Sequence, residues 1–406
     1  MRKYNLKNLC AAEEVKSGLV KIDEVKTALL HDEGLSFIDN GEKSLLLGQT
    51  KNISALVKIC TNIGTSSVDG VATELHKIEI LNKLPYKAHI LFDHTRNLDV
   101  KKPFWKFMVE NYDGIVATAP VIVSYDQEKG LDKNKLLDSI EEMASYGVKL
   151  MLFHPTATRD LWDIASNNRI RPTTSWNGAL IYRDLKMHNR SEALITEMFD
   201  DILKILYKYN VTCDIGTAFR PARISEALDE VHVKEIKSQE QYIDRARDAG
   251  VFVIREGVGH IPLNKIDAFC NLLNEKRTPL MPLPVSTDAA IGFDHIACAV
   301  ATTMIGTLTD LGIINPVTRV EHTGGVPNID VIVEALKTAR IVAHSINLKN
   351  IHNYADIYDN IVSDARQQNR RCVVSGGLFQ EVENEDGAGC SRCDLHCPFL
   401  ASVKKD

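Results

Sequence analysis

A (β/α)8 barrel is the fold that this chain of 406 residues predicts, on three observations. From about residue 55 onward, short apolar β-branched runs alternate with polar turns and amphipathic helical stretches. Serial strand–helix units build a parallel sheet, and this many within about 270 residues favour a closed barrel over an open doubly wound sheet. No G-x-G-x-x-G or Walker sequence opens any unit, so a nucleotide-binding fingerprint is missing.

Nine candidate strands stand at 55–60, 88–92, 114–118, 148–153, 173–176, 211–215, 251–256, 280–286 and 316–322, one more than a barrel needs. Either the run at 173–176 is a loop or the last run lies outside the ring. Helices are expected over 68–84, 134–147, 192–209, 238–250 and 329–348, where apolar residues recur at three- and four-residue spacing. The expected organisation is a small helical N-terminal subdomain (1–50), the catalytic barrel (51–325), a closing helical segment (326–378), and a flexible linker with a cysteine-bearing tail (379–406).

Composition sets the class. Hydrophobic residues make up 44% and charged residues 25%, an ordinary globular balance, and a formal net charge of −6 without a basic stripe argues against nucleic-acid or membrane-surface binding. The N-terminus lacks the apolar core of a signal peptide and no apolar run reaches about 20 residues, so a cytoplasmic protein is expected. Cys10, Cys60, Cys213, Cys270, Cys298 and Cys372 are scattered through mostly apolar segments, as reduced thiols are.

The tail is different. Cys390, Cys393 and Cys397 lie within eight residues in GCSRCDLHCPF. Three thiolates without a fourth can hold three irons of a 4Fe–4S cluster and leave one iron open to an external ligand such as S-adenosylmethionine. A structural zinc knuckle with a distant histidine fits the spacing equally well, because His396 adjoins Cys397 and is poorly placed to share its metal.

In a barrel, chemistry sits where strands end and βα loops begin. The polar residues at those places are Asn62, Asp93, His94, His154, the Ser175–Gly178 stretch, Arg220, Glu256, His260, Thr287, Asp288 and His322. Each alone reads more readily as a satisfied polar group or an N-cap; their shared position makes them a candidate site. His260 and His322 are the metal candidates, since each follows an apolar strand and borders glycine. Two imidazoles half-fill a site and leave room for water or a bidentate substrate group. Glu256, four residues before His260 in an expected loop, is a third ligand, a base, or a binder of a substrate amino group. His295, at an expected helix start, reads as structural.

Six ordered motifs resemble the phosphomethylpyrimidine synthase family of non-canonical radical S-adenosylmethionine enzymes. They are NIGTSS (62–67), FRPARISEALDEVHVKEI (219–236), REGVGHIP (255–262), STDAAIGFDHIACAVATTMIG (286–306), EHTGGVPN (321–328) and the terminal cysteines. The resemblance implies a homodimeric (β/α)8 barrel, a mobile cluster-bearing tail, and rearrangement of aminoimidazole ribotide to hydroxymethylpyrimidine phosphate for thiamine biosynthesis. It also implies an electron donor such as flavodoxin or ferredoxin. Residue by residue, it makes Cys390, Cys393 and Cys397 the cluster ligands, and His260 and His322 the ligands of a divalent metal, zinc or iron. Asn62, His154, Ser175, Arg220 and Glu256 become substrate contacts, with Glu256 also the catalytic candidate.

The chain departs from the family where substrate is read. SWNG (175–178) stands where the family has SRGG, and TAFRPA (217–222) stands for DGLRPG. His154 is followed by Pro-Thr in place of Ala-Gly, and Phe92, Ile122 and Leu280 align with a methionine and two tyrosines. Losing an arginine and close backbone approach removes means of phosphate recognition. These departures leave open a paralogue with another product, such as 5-hydroxybenzimidazole for the lower base of cobalamin. Two other classes compete: a non-catalytic zinc-binding barrel, and a metallohydrolase using His260 and His322, for which the cysteine tail would be superfluous.

Overall fold

The computed structural model describes residues 4–98, 100–369, 372, 374, 378, 393 and 396–401. A hairpin of β1 (Leu35–Ile38) and β2 (Leu45–Gly48) precedes eight parallel strands. These are β3 (Lys58–Ile63), β4 (Ile90–Asp93), β5 (Ile115–Thr118), β6 (Leu150–Phe153), β7 (Thr212–Ile215), β8 (Val253–His260), β9 (Leu280–Val285) and β10 (Ile313–Ile314). They run in the order β10-β3-β4-β5-β6-β7-β8-β9. The ring is completed where Leu280 pairs with Leu311. There Leu280 N donates to Asp310 O, and Gly312 N donates to Leu280 O, both at 2.9 Å.

Period-two alternation sorts the strand residues into two cores. Cys60, Ile90, Phe92, Ile115, Ala117, Leu150, Leu152, Ile254, Met281 and Ile313 fill the interior. Ile38 and Leu47 of the hairpin join them, so the hairpin plugs one end of the ring. Ile59, Leu91, Val116, Met151, Cys213 and Val253 face outward against the helices, in a core that also takes in Trp105, Met143 and Leu206.

Two of the nine expected strands are absent. Residues 173–175 form a loop, and Ser175 caps the helix Trp176–Met187 by accepting from Gly178 N at 3.1 Å. The last barrel strand is Ile313–Ile314 and not 316–322, because Pro316 has no N–H to continue the ladder; His322 sits beyond it in a short 3-10 turn, Glu321–Thr323. The strand expected at 251–256 instead runs on to His260, which puts Glu256 inside a strand and not in a loop. Its GVG sequence conceals this: Val258 (φ 97°) and Gly259 (φ 94°) both take left-handed backbone within the strand. For a β-branched valine that conformation is strained, and the strain lies two residues from His260.

The helix expected over 192–209 breaks at Met198 into Leu194–Glu197 and Phe199–Tyr209. The one expected from 238 starts earlier, at Glu230, where Asp229 accepts from His232 N at 2.9 Å, and ends at Asp248. After the barrel come a helix at Ile329–Asn350 and another at Asp359–Asn369. Among the described residues no helix is long and apolar enough to cross a membrane.

Candidate active site

Five of the expected site residues converge at the barrel mouth. His154 stands just past β6 and Glu256 on the inward face of β8, both almost fully buried. Glu256 Oε2 lies 3.9 Å from His154 Nε2 and 3.6 Å from Arg220 Nη1, and accepts from Thr217 N at 3.4 Å. Ser175 Oγ is 3.0 Å from His154 Nε2, and Asn177 Nδ2 is 3.2 Å from its Nδ1. Ser175 and Asn177 therefore clamp the imidazole from one helix N-terminus. Gly216 leaves the ring its place: a Cβ there would stand 2.6–2.8 Å from three ring atoms of His154.

Burial sets the protonation of this cluster. It lowers His154 to about 3, with the Arg220 charge acting the same way, so the imidazole is neutral. Burial also raises Glu256, while Arg220 and the Thr217 N–H oppose it and favour the carboxylate. Several buried oxygens have no protein partner: Asn62 Oδ1, Asn177 Oδ1, Thr217 Oγ1 and both oxygens of Asp214. Those at the mouth, Asn62 Oδ1, Asn177 Oδ1 and Thr217 Oγ1, suit a ligand that brings N–H or O–H donors.

The loop that carries Thr217 and Arg220 is held from behind. Glu235, on the helix beginning at Glu230, accepts from Ala218 N at 2.6 Å, Phe219 N at 2.9 Å and Thr156 Oγ1 at 2.9 Å. Buried Arg169 pairs bidentately with Asp229 at 2.8 and 2.6 Å and donates to Phe219 O at 2.5 Å. Thr173 Oγ1 donates to Ala218 O. The two segments that depart from the family, 175–178 and 217–222, thus neighbour one another through the Thr173–Ala218 bond, and they border one mouth. Trp176 is exposed at that mouth, with the Arg96 guanidinium 4.6 Å from its ring centroid. Phe92 and Ile122 belong to the barrel interior, but Leu280 faces the outer core with Ile266, Phe269 and Ile305, which removes it from the site; the inward neighbour is Met281.

A second cluster adjoins the first. His260 and His322 line a cleft of about 230 Å³ with Arg220, Arg171 and Glu321. Their ring centroids are 4.9 Å apart. His260 Nδ1 lies 2.7 Å from Asp288 Oδ1, and His322 Nδ1 lies 2.7 Å from Asp294 Oδ1. A carboxylate on Nδ1 fixes that nitrogen as the N–H and leaves Nε2 as the ligating atom, the arrangement of histidines that bind metals. The pair therefore fits a divalent ion. Among the described residues no three His, Cys, Asp or Glu side chains gather as a metal set, so an ion held by this pair would need water or substrate in its other positions. Glu256 is engaged with Thr217 and Arg220, which argues for a substrate contact over a third ligand.

Asp294 and Asp214 escaped the reading of the sequence. Asp294 sat in GFDH as an apparent helix start, and Asp214 in a run that reads as a buried strand. His295 lies in the first turn of the helix Asp294–Gly306, with Nε2 3.7 Å from Glu334 Oε1. In the tail, Cys390 lies outside the described residues. Cys393 and Cys397 are partly exposed and free of disulfides, and His396 N donates to Cys393 O at 2.9 Å in the turn between them. Partly exposed thiols without a disulfide are the donor type that an iron–sulfur cluster takes.

Comparison with known proteins gives the family. A profile described as "Radical SAM ThiC family" matches residues 37–401. A phosphomethylpyrimidine synthase of Methanococcus maripaludis (strain C5) is 27% identical over 365 residues, covering 84% of each chain. One from Clostridium perfringens (strain SM101) is 32% identical over 322 residues, 77% of this chain and 72% of the relative. The 5-hydroxybenzimidazole synthase BzaA of Moorella thermoacetica is 32% identical over 288 residues, 67% of this chain and 66% of the relative. The chain belongs to the Radical SAM ThiC family, whose enzymes use S-adenosylmethionine and an iron–sulfur cluster.

Proposed function

We propose that this enzyme is a radical carbon–carbon lyase acting on aminoimidazole ribotide, with hydroxymethylpyrimidine phosphate for thiamine biosynthesis as its product. The observation that carries the reading is the juxtaposition, through Arg220, of the Glu256–His154 cluster and the His260–His322 cleft. Cys390, Cys393 and Cys397 would hold a 4Fe–4S cluster, which would supply the electron for reductive cleavage of S-adenosylmethionine. The residues of the mouth do the rest. Glu256 takes the amino group, Asn62 takes a further donor, neutral His154 offers its remaining ring N–H, and Arg220 serves the anionic end. The unpaired acceptors at the mouth match an amine and ribose hydroxyls, and Arg96 over Trp176 with Arg171 along the cleft brings guanidinium charge for a phosphate. His260 and His322 would hold a zinc or iron ion beside them. A reduced flavodoxin or ferredoxin would be the electron donor and a homodimer the assembly.

A second reading, synthesis of 5-hydroxybenzimidazole from the same ribotide, is favoured by one feature: the substitutions at 175–178 and 217–222 border a single wall of the mouth. Anaerobic turnover with reductant, S-adenosylmethionine and aminoimidazole ribotide, with products identified by mass, tests both. Hydroxymethylpyrimidine phosphate supports the first reading and 5-hydroxybenzimidazole the second. 5′-Deoxyadenosine without either product refutes the substrate assignment.

A further inference from the structure

Asp214 lies one layer beneath the mouth. Strand register pairs it with Leu152 of β6 and Ile254 of β8. His154 and Glu256 are two residues further along those strands, on the same inward faces. Asp214 is fully buried, and neither of its carboxyl oxygens has a hydrogen-bond partner. The Cys60 thiol nearby is pushed up chiefly by burial. Glu256 is differently placed, with the Thr217 N–H and the Arg220 guanidinium to hold a negative charge.

Two buried carboxyl groups on the inward faces of adjacent strands, one layer apart, one with donors and one with none, resist ionising together. We propose that Asp214 and Glu256 form a one-proton pair in which Asp214 keeps the proton as a neutral acid and Glu256 is left as the anion that meets substrate. Asp214 is then a positioning residue, acting through Glu256. The charged and titratable groups around the pair are Arg220 from the 217–222 loop, neutral His154 just past β6 and the Cys60 thiol from β3. Burial and the Glu256 charge push Asp214 well above the usual carboxylate range, in keeping with this division. The pair makes the floor of the site selective for a substrate that offers a cationic or N–H-bearing nitrogen. That selectivity rests on the substrate site proposed above.

Infrared spectroscopy of the resting enzyme tests the pair without any substrate. At pH 8, where Asp93 and Glu235, raised to about 7, are mostly ionised, the parent minus Asp214→Asn difference spectrum should show loss of a protonated-carboxyl C=O band. Loss of carboxylate bands instead would overturn the proposal. The thermal midpoint gives a second readout. A neutral native Asp214 is ionised on unfolding above pH 4, so the advantage of Asp214→Asn should grow from pH 5 to pH 8; a constant or shrinking difference would refute it. If the variant does not fold, the parent labelled with 13C-aspartate should show an isotope-shifted protonated band at pH 8, and its absence overturns the pair. A pair seen by infrared in an enzyme that does not bind the ribotide would refute the substrate assignment alone.

Discussion

Asp294 Oδ1 stands 2.7 Å from His322 Nδ1, and Asp294 is fully buried in the first turn of the helix that follows β9. The ring is thereby oriented from a rigid helix, although His322 itself lies in a short 3-10 turn. Asp288 does the same for His260 and also accepts from Ile224 N at 3.1 Å, tying the 222–226 turn to the same cleft.

Asp294→Asn should lower affinity for the mononuclear metal by about 10–100-fold, the usual cost of losing a carboxylate behind a ligating histidine. Competition with a chromogenic chelator measures it. Unchanged affinity, with the cluster still loaded, would remove His322 from the site.

Gly216→Ala should leave the fold intact and displace His154, because the new methyl group would sit under 3 Å from its ring. The Ser175 and Asn177 contacts would break together. Ribotide binding by calorimetry should weaken at least about tenfold, the cost of one net hydrogen bond or more; parent-like affinity would show that His154 does not contact substrate.

The buried histidines should subtract stability as the pH drops below 6.5, opposite in sign to the buried carboxyl groups Asp93, Glu235 and Asp214. His154 and His232 are both fully buried and lowered by burial to about 3, so the unfolded chain binds protons that the folded chain refuses until about pH 3. Each contributes a slope of about 1.4 kcal/mol per pH unit through that window, and the contribution is fully present only above 6.5. Urea titrations between pH 4.5 and 7.5 should show His232→Asn with a shallower decline. An equally steep decline would mean that His232 is protonated in the fold.

Cys393→Ala should abolish the cluster absorbance and 5′-deoxyadenosine formation together while leaving the mononuclear metal in place, since His260 and His322 lie on the barrel. Cleavage of S-adenosylmethionine persisting in this variant would refute the cluster assignment.

Much of the fold was legible because its signals are local. Alternating apolar runs and helical periodicity depend on near neighbours in the chain, and seven of the eight barrel strands follow from them. The eighth did not: Ile313–Ile314 is two residues long, too short to show any period, and the β-branched run after Pro316 looked more like a strand than the strand itself. β8 was cut short for the opposite reason, since a GVG triplet reads as a turn unless the pairing of Val258 with Leu283 and His260 with Val285 is known.

The sequence by itself determined the barrel and the residue types gathered at its strand ends. It also carried, in the tail, the three-thiol spacing. Only the tertiary structure decided who partners whom. Asp288 meets His260, Asp294 meets His322, and Ser175 meets His154, over separations of 28, 28 and 21 residues. Such contacts leave no periodic trace, because they depend on the closure of the ring bringing distant loops to one rim. Asp214 is the sharpest case. In the chain it is one polar residue in VTCDI, and only the register of β6, β7 and β8 places it beneath Glu256, without a partner and away from water. There the cost of burying a second charge, and not the residue's identity, sets which carboxyl keeps its proton.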